Sequence, residues 1–313
     1  MASSSNIDPQ PLSGTPATPA STGAQQSTAT TVTPTTPITR ATPANPGAPI
    51  TRATVSPTLF YSDKGSGLPL VLLHGFAEDG AIWDNQVAFL SAHCRLIIPD
   101  LPGSGRSSAL CGATSMEELA AEIKELLDRL HLEKCILIGH SLGGYITLAF
   151  AAHYPERLHA LGLFHSTAYP DSDEKKAMRR KAIEFIRKNG SAAFIRQSTP
   201  NLFAAHTRDQ HPELISAAID KYSGFSPDSL IAYYEAMIAR PDQTAVLRQF
   251  DGPVLFIMGE DDAVIPLQQS LEQCYLPSVS HLHLVKNTGH EGMLEAPSEC
   301  NRILYNFINF VQA

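Results

Sequence analysis

The segment Gly139-His140-Ser141-Leu142-Gly143 carries a serine hydroxyl between two glycines, each two residues away from it. The mostly apolar run 134–138 before it is typical of a buried strand, and the run 145–153 after it is typical of a helix. A chain that passes from strand to helix so quickly must bend sharply at the serine, where larger side chains at positions 139 and 143 would collide. The pattern predicts a nucleophile elbow, with Ser141 at the carboxyl end of a strand.

A serine hydroxyl becomes a nucleophile when a base removes its proton and a carboxylate orients that base. In a doubly wound sheet, both groups should lie on loops that follow later strands. Of the 12 histidines, His290 follows a late strand-like run on a turn that contains glycine. The carboxylate should follow the run Phe256–Met258, where Asp261 and Asp262 compete and Glu260 is a weaker third choice. The chain order serine, acid, histidine is known for such triads.

Attack on a carbonyl also requires N–H donors for the oxygen that becomes negatively charged. We expect one donor at the backbone of Leu142, directly after the serine, and the other at the backbone of Phe76, in a loop after an apolar strand. His281 and His283 lie on one face of a predicted strand, but no third metal ligand stands at a readable spacing. We therefore expect neither a metal nor an organic cofactor.

The elements that would position these groups begin near residue 58. Short, almost continuously apolar runs alternate there with helical patterns, which indicates a mostly parallel sheet covered by helices on both faces. The predicted strands are 58–62, 68–73, 95–98, 135–138, 160–164, 253–258 and 281–286. A helix is expected over 115–130, where Ser115 and Glu118 have the spacing of a capping box, and another over 297–311.

Between residue 166 and about residue 248, strand-like runs vanish and helical periodicity takes over. We interpret this segment as a helical cap over the carboxyl ends of the strands. The candidates for the wall of a substrate pocket are His74, His140, Phe203 and Tyr233. For the two aromatic residues, ordinary packing between cap helices is the alternative role.

Residues 1–57 are dominated by Thr, Pro, Ala and Ser, and they contain almost no large apolar side chains. Such a segment cannot bury enough apolar surface to offset its ordering entropy, so we expect disorder. Its first residues lack the basic region and the apolar core of a secretory signal. The five scattered cysteines favour a reducing compartment, and together these features predict a cytoplasmic protein.

The 313-residue chain has a formal net charge of -8, which offers no electrostatic attraction to nucleic acid or to an anionic membrane surface. It also contains no apolar run of the length that a membrane helix needs. The expected partner is a small molecule. The oligomeric state cannot be read from these features.

Taken together, five motifs resemble the α/β-hydrolase superfamily, and within it the capped esterases, lactonases and cofactor-free peroxidases. They are His74-Gly75-Phe76, residues 100–107, residues 139–144, Gly259-x-x-Asp262-x-x-x-Pro266, and Gly289-His290 followed by residues 294–297. The resemblance covers about residue 58 to the end. It implies the α/β-hydrolase fold with an inserted cap, and it assigns the acid to Asp262 rather than Asp261.

The resemblance implies a serine hydrolase that cleaves a small carboxylic ester or lactone through an acyl-enzyme. Alternatives on the same triad are an acyltransferase and a perhydrolase, and a ligand receptor on a hydrolase scaffold is an alternative of another class. The serine disfavours haloalkane dehalogenases and epoxide hydrolases, which use aspartate at that place. Glu291 stands where the carbon–carbon bond hydrolases of the superfamily tend to carry tryptophan, which disfavours that activity too.

Overall fold

The computed structural model describes residues 59–110 and 112–313, so the predicted disorder of residues 1–57 lies outside the described residues. The described chain forms a seven-stranded sheet. Its strands are β1 (Tyr61–Gly65), β2 (Pro69–Leu73), β3 (Arg95–Pro99), β4 (Cys135–His140), β5 (Leu158–Phe164), β6 (Val254–Gly259) and β7 (Ser280–Val285).

The strands lie side by side in the order β1-β3-β2-β4-β5-β6-β7. β1 runs antiparallel to β3, and the other neighbouring pairs are parallel. Because the carboxyl ends of parallel strands meet at one edge of a sheet, the segments that follow β2, β4, β6 and β7 emerge at the same edge. These are the segments in which the sequence predicts the reactive groups.

Eleven α-helices occur in the described part of the chain. They are α1 (Asp84–Leu90), α2 (Met116–Arg129), α3 (Leu142–His153), α4 (Asp173–Ser198), α5 (Ala205–Gln210), α6 (Pro212–Tyr222), α7 (Pro227–Ala239), α8 (Thr244–Gln249), α9 (Leu267–Gln273), α10 (Gly292–Glu295) and α11 (Pro297–Gln312). Short 3-10 helices at Gly80–Trp83, Pro155–Arg157 and Thr199–Leu202 complete the connections.

Successive residues of a central strand face opposite layers of the core. On β2, Val71 and Leu73 belong to the cluster that contains the apolar faces of α2 and α3. Leu70 and Leu72 belong to the other cluster, with Phe307 of α11. Since both faces of the sheet are covered, nearly every position of a central strand is apolar. The doubly wound α/β architecture predicted from the sequence is confirmed.

The first strand differs from the prediction. The sequence suggests a strand over 58–62 and a turn from Asp63 onward, whereas β1 spans Tyr61–Gly65. Its register pairs Asp63 with Ile97, and the guanidinium of Arg95 contacts the Asp63 carboxylate at 2.7 Å. Pairing with the antiparallel strand β3 therefore gives residues typical of turns a strand conformation. Local composition alone does not predict this effect.

The expected capping box begins α2. The Glu118 N–H donates to the Ser115 hydroxyl at 3.1 Å, and the Ser115 N–H donates to the Glu118 carboxylate at 3.1 Å. These two bonds satisfy N–H groups that have no partner inside the helix. The helix runs over Met116–Arg129, close to the predicted 115–130.

The helices α4 to α8 lie between β5 and β6, where the sequence predicts a helical insertion. α4 is interrupted at Gly190, whose φ of 80° is outside the helical range. A residue with a side chain would be strained there, so the glycine allows the change of direction. The assignment of residues 166–248 as a separate cap stays a prediction.

Cys94, Cys135, Cys274 and Cys300 are buried free thiols, which agrees with their interpretation as small core residues. Burial raises the pKa of the Cys94 thiol to about 11, so it stays protonated at neutral pH. Within the part of the chain that the structure describes, no helix combines the length and the apolar character that crossing a membrane requires.

Candidate active site

Ser141 occupies the sharp turn between β4 and α3. Its backbone has φ 49° and ψ -111°, a conformation that is rare for any residue except glycine. A Cβ at position 139 would overlap the backbone of Gly143, so the turn requires glycine there. The Ser141 N–H donates to the Phe164 carbonyl at 3.0 Å, which anchors the strained turn to β5.

His290 lies in the loop after β7, and its Nδ1 is 2.9 Å from the Oδ2 of Asp262. The Oδ1 of the same carboxylate accepts the N–H groups of Val264 and Ile265 at 2.8 and 2.9 Å. Asp262 is buried, whereas Asp261 is exposed. The structure therefore brings Asp262, and not its neighbour, to the imidazole of His290.

The charge state of Asp262 follows from its surroundings. Burial favours the protonated acid, but the charge of His290 and the hydrogen bonds from His165 and His290 outweigh it. Together they hold the pKa of Asp262 well below its usual range. The carboxylate is thus available to orient the ring of His290 through Nδ1 and to leave Nε2 as the reactive nitrogen.

The two predicted oxyanion donors lie on opposite sides of Ser141 in the chain. Leu142 is the first residue of α3 and is fully buried, so its N–H stands at a helix N-terminus. Phe76 lies in the loop after β2, and its ring stacks on Tyr234 with 4.3 Å between the centroids. This stacking fixes the loop that carries the Phe76 N–H against α7.

A cavity of about 880 Å³, counting the space that opens to solvent, has both Ser141 and His290 in its wall. Most of the wall is apolar and comes from the helices between β5 and β6 and from the loop after β2. Representative lining residues are Phe76, Phe194, Leu202, Phe203, Tyr234 and Met237. Such a wall suits a small substrate with an apolar body.

Of the predicted pocket residues, Phe203 lines the cavity, and His74, His140 and Tyr233 do not. His74 is fully buried between two loops, where Nδ1 donates to the Gly75 carbonyl at 2.8 Å and Nε2 accepts the Leu101 N–H at 3.0 Å. Its role is therefore to hold the loops together. The prediction that His74 lines the pocket is wrong.

The prediction of Tyr233 as a pocket residue is wrong by one position. Its hydroxyl donates to the Pro102 carbonyl at 2.5 Å and contacts the Ser104 hydroxyl at 3.2 Å. The neighbouring Tyr234 lines the cavity instead. Successive residues of a helix point about 100° apart, so the face of α7 that meets the cavity decides between them.

His140 also lies outside the cavity wall, because its ring is buried between the loops that follow β2 and β7. Its Nδ1 is 3.1 Å from the Glu78 carboxylate, and its Nε2 is 2.9 Å from the His290 carbonyl oxygen. The charged residues of the wall that the sequence analysis did not assign to the pocket are Glu78, Arg179 and Glu291. Glu78 and Glu291 are each close in sequence to a predicted site residue, and that proximity is the signal that could have found them.

Two groups of described residues bring three possible metal ligands within 4.8 Å of one another: His165, Asp262 and His290, and Glu78, His140 and Glu291. In the first group the Nδ1 of His290 already donates to Asp262. In the second, the two nitrogens of His140 face a carboxylate and a carbonyl oxygen. These nitrogens serve as hydrogen-bond donors, which suits a proton-bearing network better than a metal site.

Arg179 is the one permanent cation among the described residues that line the cavity. Its Nε donates to Asp171 at 2.6 Å, and the same carboxylate contacts Arg240 at 3.0 Å. Burial of Asp171 favours its protonated form, but the two guanidinium groups outweigh this and lower the pKa of Asp171. One carboxylate therefore faces two arginines, and the group keeps one positive charge.

A sequence profile of the α/β-hydrolase fold family matches residues 69–297, which include all the groups described above. The chain belongs to this family. Among solved structures, this α/β hydrolase is similar to a thermophilic esterase from Thermogutta terrifontis, determined with malate bound. The TM-score is 0.79 and the identity 32%, over 82% of this chain and 95% of that chain.

The α/β hydrolase also resembles the enol-lactonase of Burkholderia xenovorans LB400 in fold, with a TM-score of 0.75 and 23% identity over 81% of this chain and 97% of that chain. Among sequences, it is 28% identical over 260 residues to a 2-hydroxy-6-oxononadienedioate/2-hydroxy-6-oxononatrienedioate hydrolase of Paraburkholderia phymatum. That match covers 79% of this chain and 90% of the relative. The family is therefore established, and these relatives differ in the substrates that their names give.

Proposed function

We propose that this α/β hydrolase is a serine hydrolase that cleaves a small carboxylic ester or lactone through an acyl-enzyme. The observation that carries the proposal is the buried 2.9 Å contact between His290 and Asp262, with His290 and Ser141 in the wall of one cavity. This combination supplies a nucleophile, its base and the group that orients the base. Similarity to an esterase over most of the chain supports the choice of an ester bond.

In the proposed mechanism, His290 removes the proton of the Ser141 hydroxyl as the oxygen attacks the substrate carbonyl. The negative charge that develops on the carbonyl oxygen is stabilised by the N–H groups of Phe76 and Leu142. His290 then gives its proton to the departing alcohol oxygen, and the acyl-enzyme forms. His290 next removes a proton from a water molecule, whose oxygen attacks the carbonyl of the acyl-enzyme. His290 then returns the proton to the Ser141 oxygen as the bond to the acyl group breaks and the acid leaves.

The test is hydrolysis of p-nitrophenyl esters from acetate to octanoate, beside a panel of small lactones, by the parent protein and Ser141→Ala. We expect turnover that is highest on short acyl chains and that Ser141→Ala loses by at least about 10³-fold. Turnover at the parent rate in Ser141→Ala would overturn the proposal. The same triad could also support acyl transfer or perhydrolysis. Product analysis with added alcohol or hydrogen peroxide distinguishes these two reactions from hydrolysis.

The charge in the cavity wall restricts the class of ester that we propose as the substrate. The esterase from Thermogutta terrifontis was determined with malate, a dicarboxylic acid, and Arg179 places a positive charge in an otherwise largely apolar wall. A carboxylate buried in such a cavity needs a charged partner, and a guanidinium is well suited to it. We therefore propose that the preferred esters carry a free carboxylate at the end remote from the scissile bond.

Monoethyl succinate and ethyl levulinate test this preference, because they differ in one end group of the same size, a carboxylate or a neutral acetyl. We expect the parent to favour monoethyl succinate in kcat/KM by about 10-fold or more, as a hydrogen bond to a charged group is worth about 1.5–3 kcal/mol. Arg179→Met should remove or reverse this preference while p-nitrophenyl acetate is still hydrolysed. Equal rates on both substrates in the parent would exclude the carboxylate preference and leave the ester hydrolase intact.

A further inference from the structure

Glu78 links the loop after β2 to the end of β4. It is buried, and its Oε2 accepts the Gly75 N–H at 2.7 Å while lying 3.1 Å from the Nδ1 of His140. Gly75 immediately precedes Phe76, the proposed oxyanion donor, and His140 immediately precedes Ser141. One carboxylate oxygen therefore holds the oxyanion loop next to the nucleophile.

The opposite nitrogen of His140 reaches the third loop of the site. Its Nε2 lies 2.9 Å from the carbonyl oxygen of His290. A carbonyl oxygen only accepts, so Nε2 must carry a proton, and a carboxylate at Nδ1 favours a proton there as well. His140 is thus a buried imidazolium whose two N–H groups join the oxyanion loop to the loop of the base.

The charges of this cluster agree with that protonation. Burial lowers the pKa of His140, but the negative charge and hydrogen bond of Glu78 outweigh burial and raise it to about 9. Burial and the neighbouring Glu78 raise the pKa of Glu291 well above its ordinary value, which favours its protonated form. The opposite charges of Glu78 and His140 offset each other, which lowers the cost of burying them.

We propose that Glu78 and His140 are positioning residues that fix the oxyanion loop and the His290 loop relative to Ser141 during acyl transfer. The inference rests on the proposed serine hydrolase function. Neither residue is required to react with the substrate. His140 lies outside the cavity wall, and Glu78, which is in the wall, has its Oε2 held by the Gly75 N–H and beside His140. Their effect should therefore appear in kcat rather than in KM, because a small misplacement of reacting groups lowers the rate of the chemical step.

The test uses active-site titration, so that loss of folded enzyme is not mistaken for loss of positioning. A fluorophosphonate labels reactive Ser141, and kcat is expressed per labelled site on p-nitrophenyl acetate. Glu78→Gln keeps the size of the side chain and an acceptor for Gly75 but loses the charge. We expect its kcat per labelled site to fall about 10- to 100-fold, with KM within about threefold of the parent.

A matched pair at position 140 separates the two ends of the link. In His140→Gln the amide N–H occupies the place of Nε2 and can still donate to the His290 carbonyl, whereas in His140→Asn the amide takes the place of Nδ1. We expect His140→Asn to lower kcat per labelled site more than His140→Gln does. Unchanged kcat per labelled site in Glu78→Gln and His140→Asn, with Ser141→Ala inactive, would overturn the positioning role and leave the hydrolase function standing.

The parent protein provides a measurement that does not depend on a variant that folds. The ionisable groups around His140 are Glu78 on the oxyanion loop, His165 at the end of β5, and His290 and Glu291 on the loop after β7. Loss of the His140 proton would break one of its two bonds. We expect kcat per labelled site to fall above about pH 9, and a flat profile to pH 10 would overturn the proposal.

Discussion

The Nδ1 of His165 lies 3.2 Å from the Oδ2 of Asp262, the same oxygen that the Nδ1 of His290 contacts. Burial lowers the pKa of His165 to about 4, so the ring is neutral and carries one proton. The same Nδ1 also faces the Gly259 N–H at 3.1 Å, so this nitrogen lies between a carboxylate and a backbone donor. The ring of His165 therefore joins the end of β6 to Asp262, on the same carboxylate oxygen that His290 contacts.

This contact predicts different stabilities for two substitutions of His165. His165→Asn retains a polar group near Nδ1 and tolerates the positive φ of 47°, whereas His165→Leu does neither. We expect His165→Leu to lower the free energy of unfolding by about 1.5–3 kcal/mol more than His165→Asn does, the value of a hydrogen bond to a charged group. Urea unfolding of the two variants measures this difference, and equal values would show that the contact contributes nothing.

The choice between the two adjacent aspartates can be tested directly. Asp262→Asn should lower kcat on p-nitrophenyl acetate by about 10³- to 10⁴-fold, because an amide in place of the carboxylate favours the wrong tautomer of the base. Asp261→Asn is the matched control, since Asp261 is exposed on the same loop. It should stay within about twofold of the parent, and a larger loss in Asp261→Asn than in Asp262→Asn would reverse the assignment.

The raised pKa of His140 predicts how stability changes with pH. Its pKa is about 9 in the folded protein and about 6.5 in the unfolded chain. The stabilisation by the His140 charge is therefore fully present below about pH 6.5 and is lost as the pH rises to about 9. Relative to His140→Gln, the parent should lose about 3 kcal/mol of unfolding free energy over this interval. Urea unfolding of the parent and of His140→Gln at pH 6 and at pH 9.5 measures this loss. An equal change of unfolding free energy in the two proteins would contradict the positive charge of His140.

Asp171 is expected to be a stability determinant because this buried carboxylate lies between the buried Arg240 and the half-buried Arg179. Asp171→Asn leaves the guanidinium groups of Arg179 and Arg240 without their anion, which should cost about 3–5 kcal/mol of unfolding free energy. Asp251→Asn serves as the control, since Asp251 is exposed, and it should stay within about 0.5 kcal/mol of the parent. Similar unfolding midpoints for the two variants would mean that solvent or local rearrangement compensates the buried charge.

Local patterns in the sequence were sufficient to predict the strands that are buried on both faces of the sheet. The run around Ile136 and Ile138 is apolar at successive positions because β4 lies in the centre of a sheet covered on both sides, so the strand was readable without its neighbours. The capping box at Ser115 was also local, since both of its bonds join residues three apart. The α/β fold and its family followed from such runs and from the motifs between them.

Local sequence did not predict the place of residues whose contacts depend on a distant segment of the chain. Tyr233 and Tyr234 are equivalent in type and adjacent in sequence, and the packing of α7 against the loop that contains Pro102 decides which one meets the cavity. In the same way, Asp63 reads as a turn residue until its pairing with Ile97 is known. In both cases a contact between segments far apart in the chain outweighs the local preference.

The sequence by itself determined the α/β-hydrolase fold and which residues could supply a nucleophile, an acid and a base, because backbone strain and strand burial restrict residue types locally. Tertiary structure decided how these groups meet. It placed Asp262 rather than Asp261 at His290. It also showed that His140, predicted to line the pocket, links two loops instead. The reason is that hydrogen bonds and charges act over a few ångströms in space, and only the folded chain brings residues 78, 140 and 290 within that range.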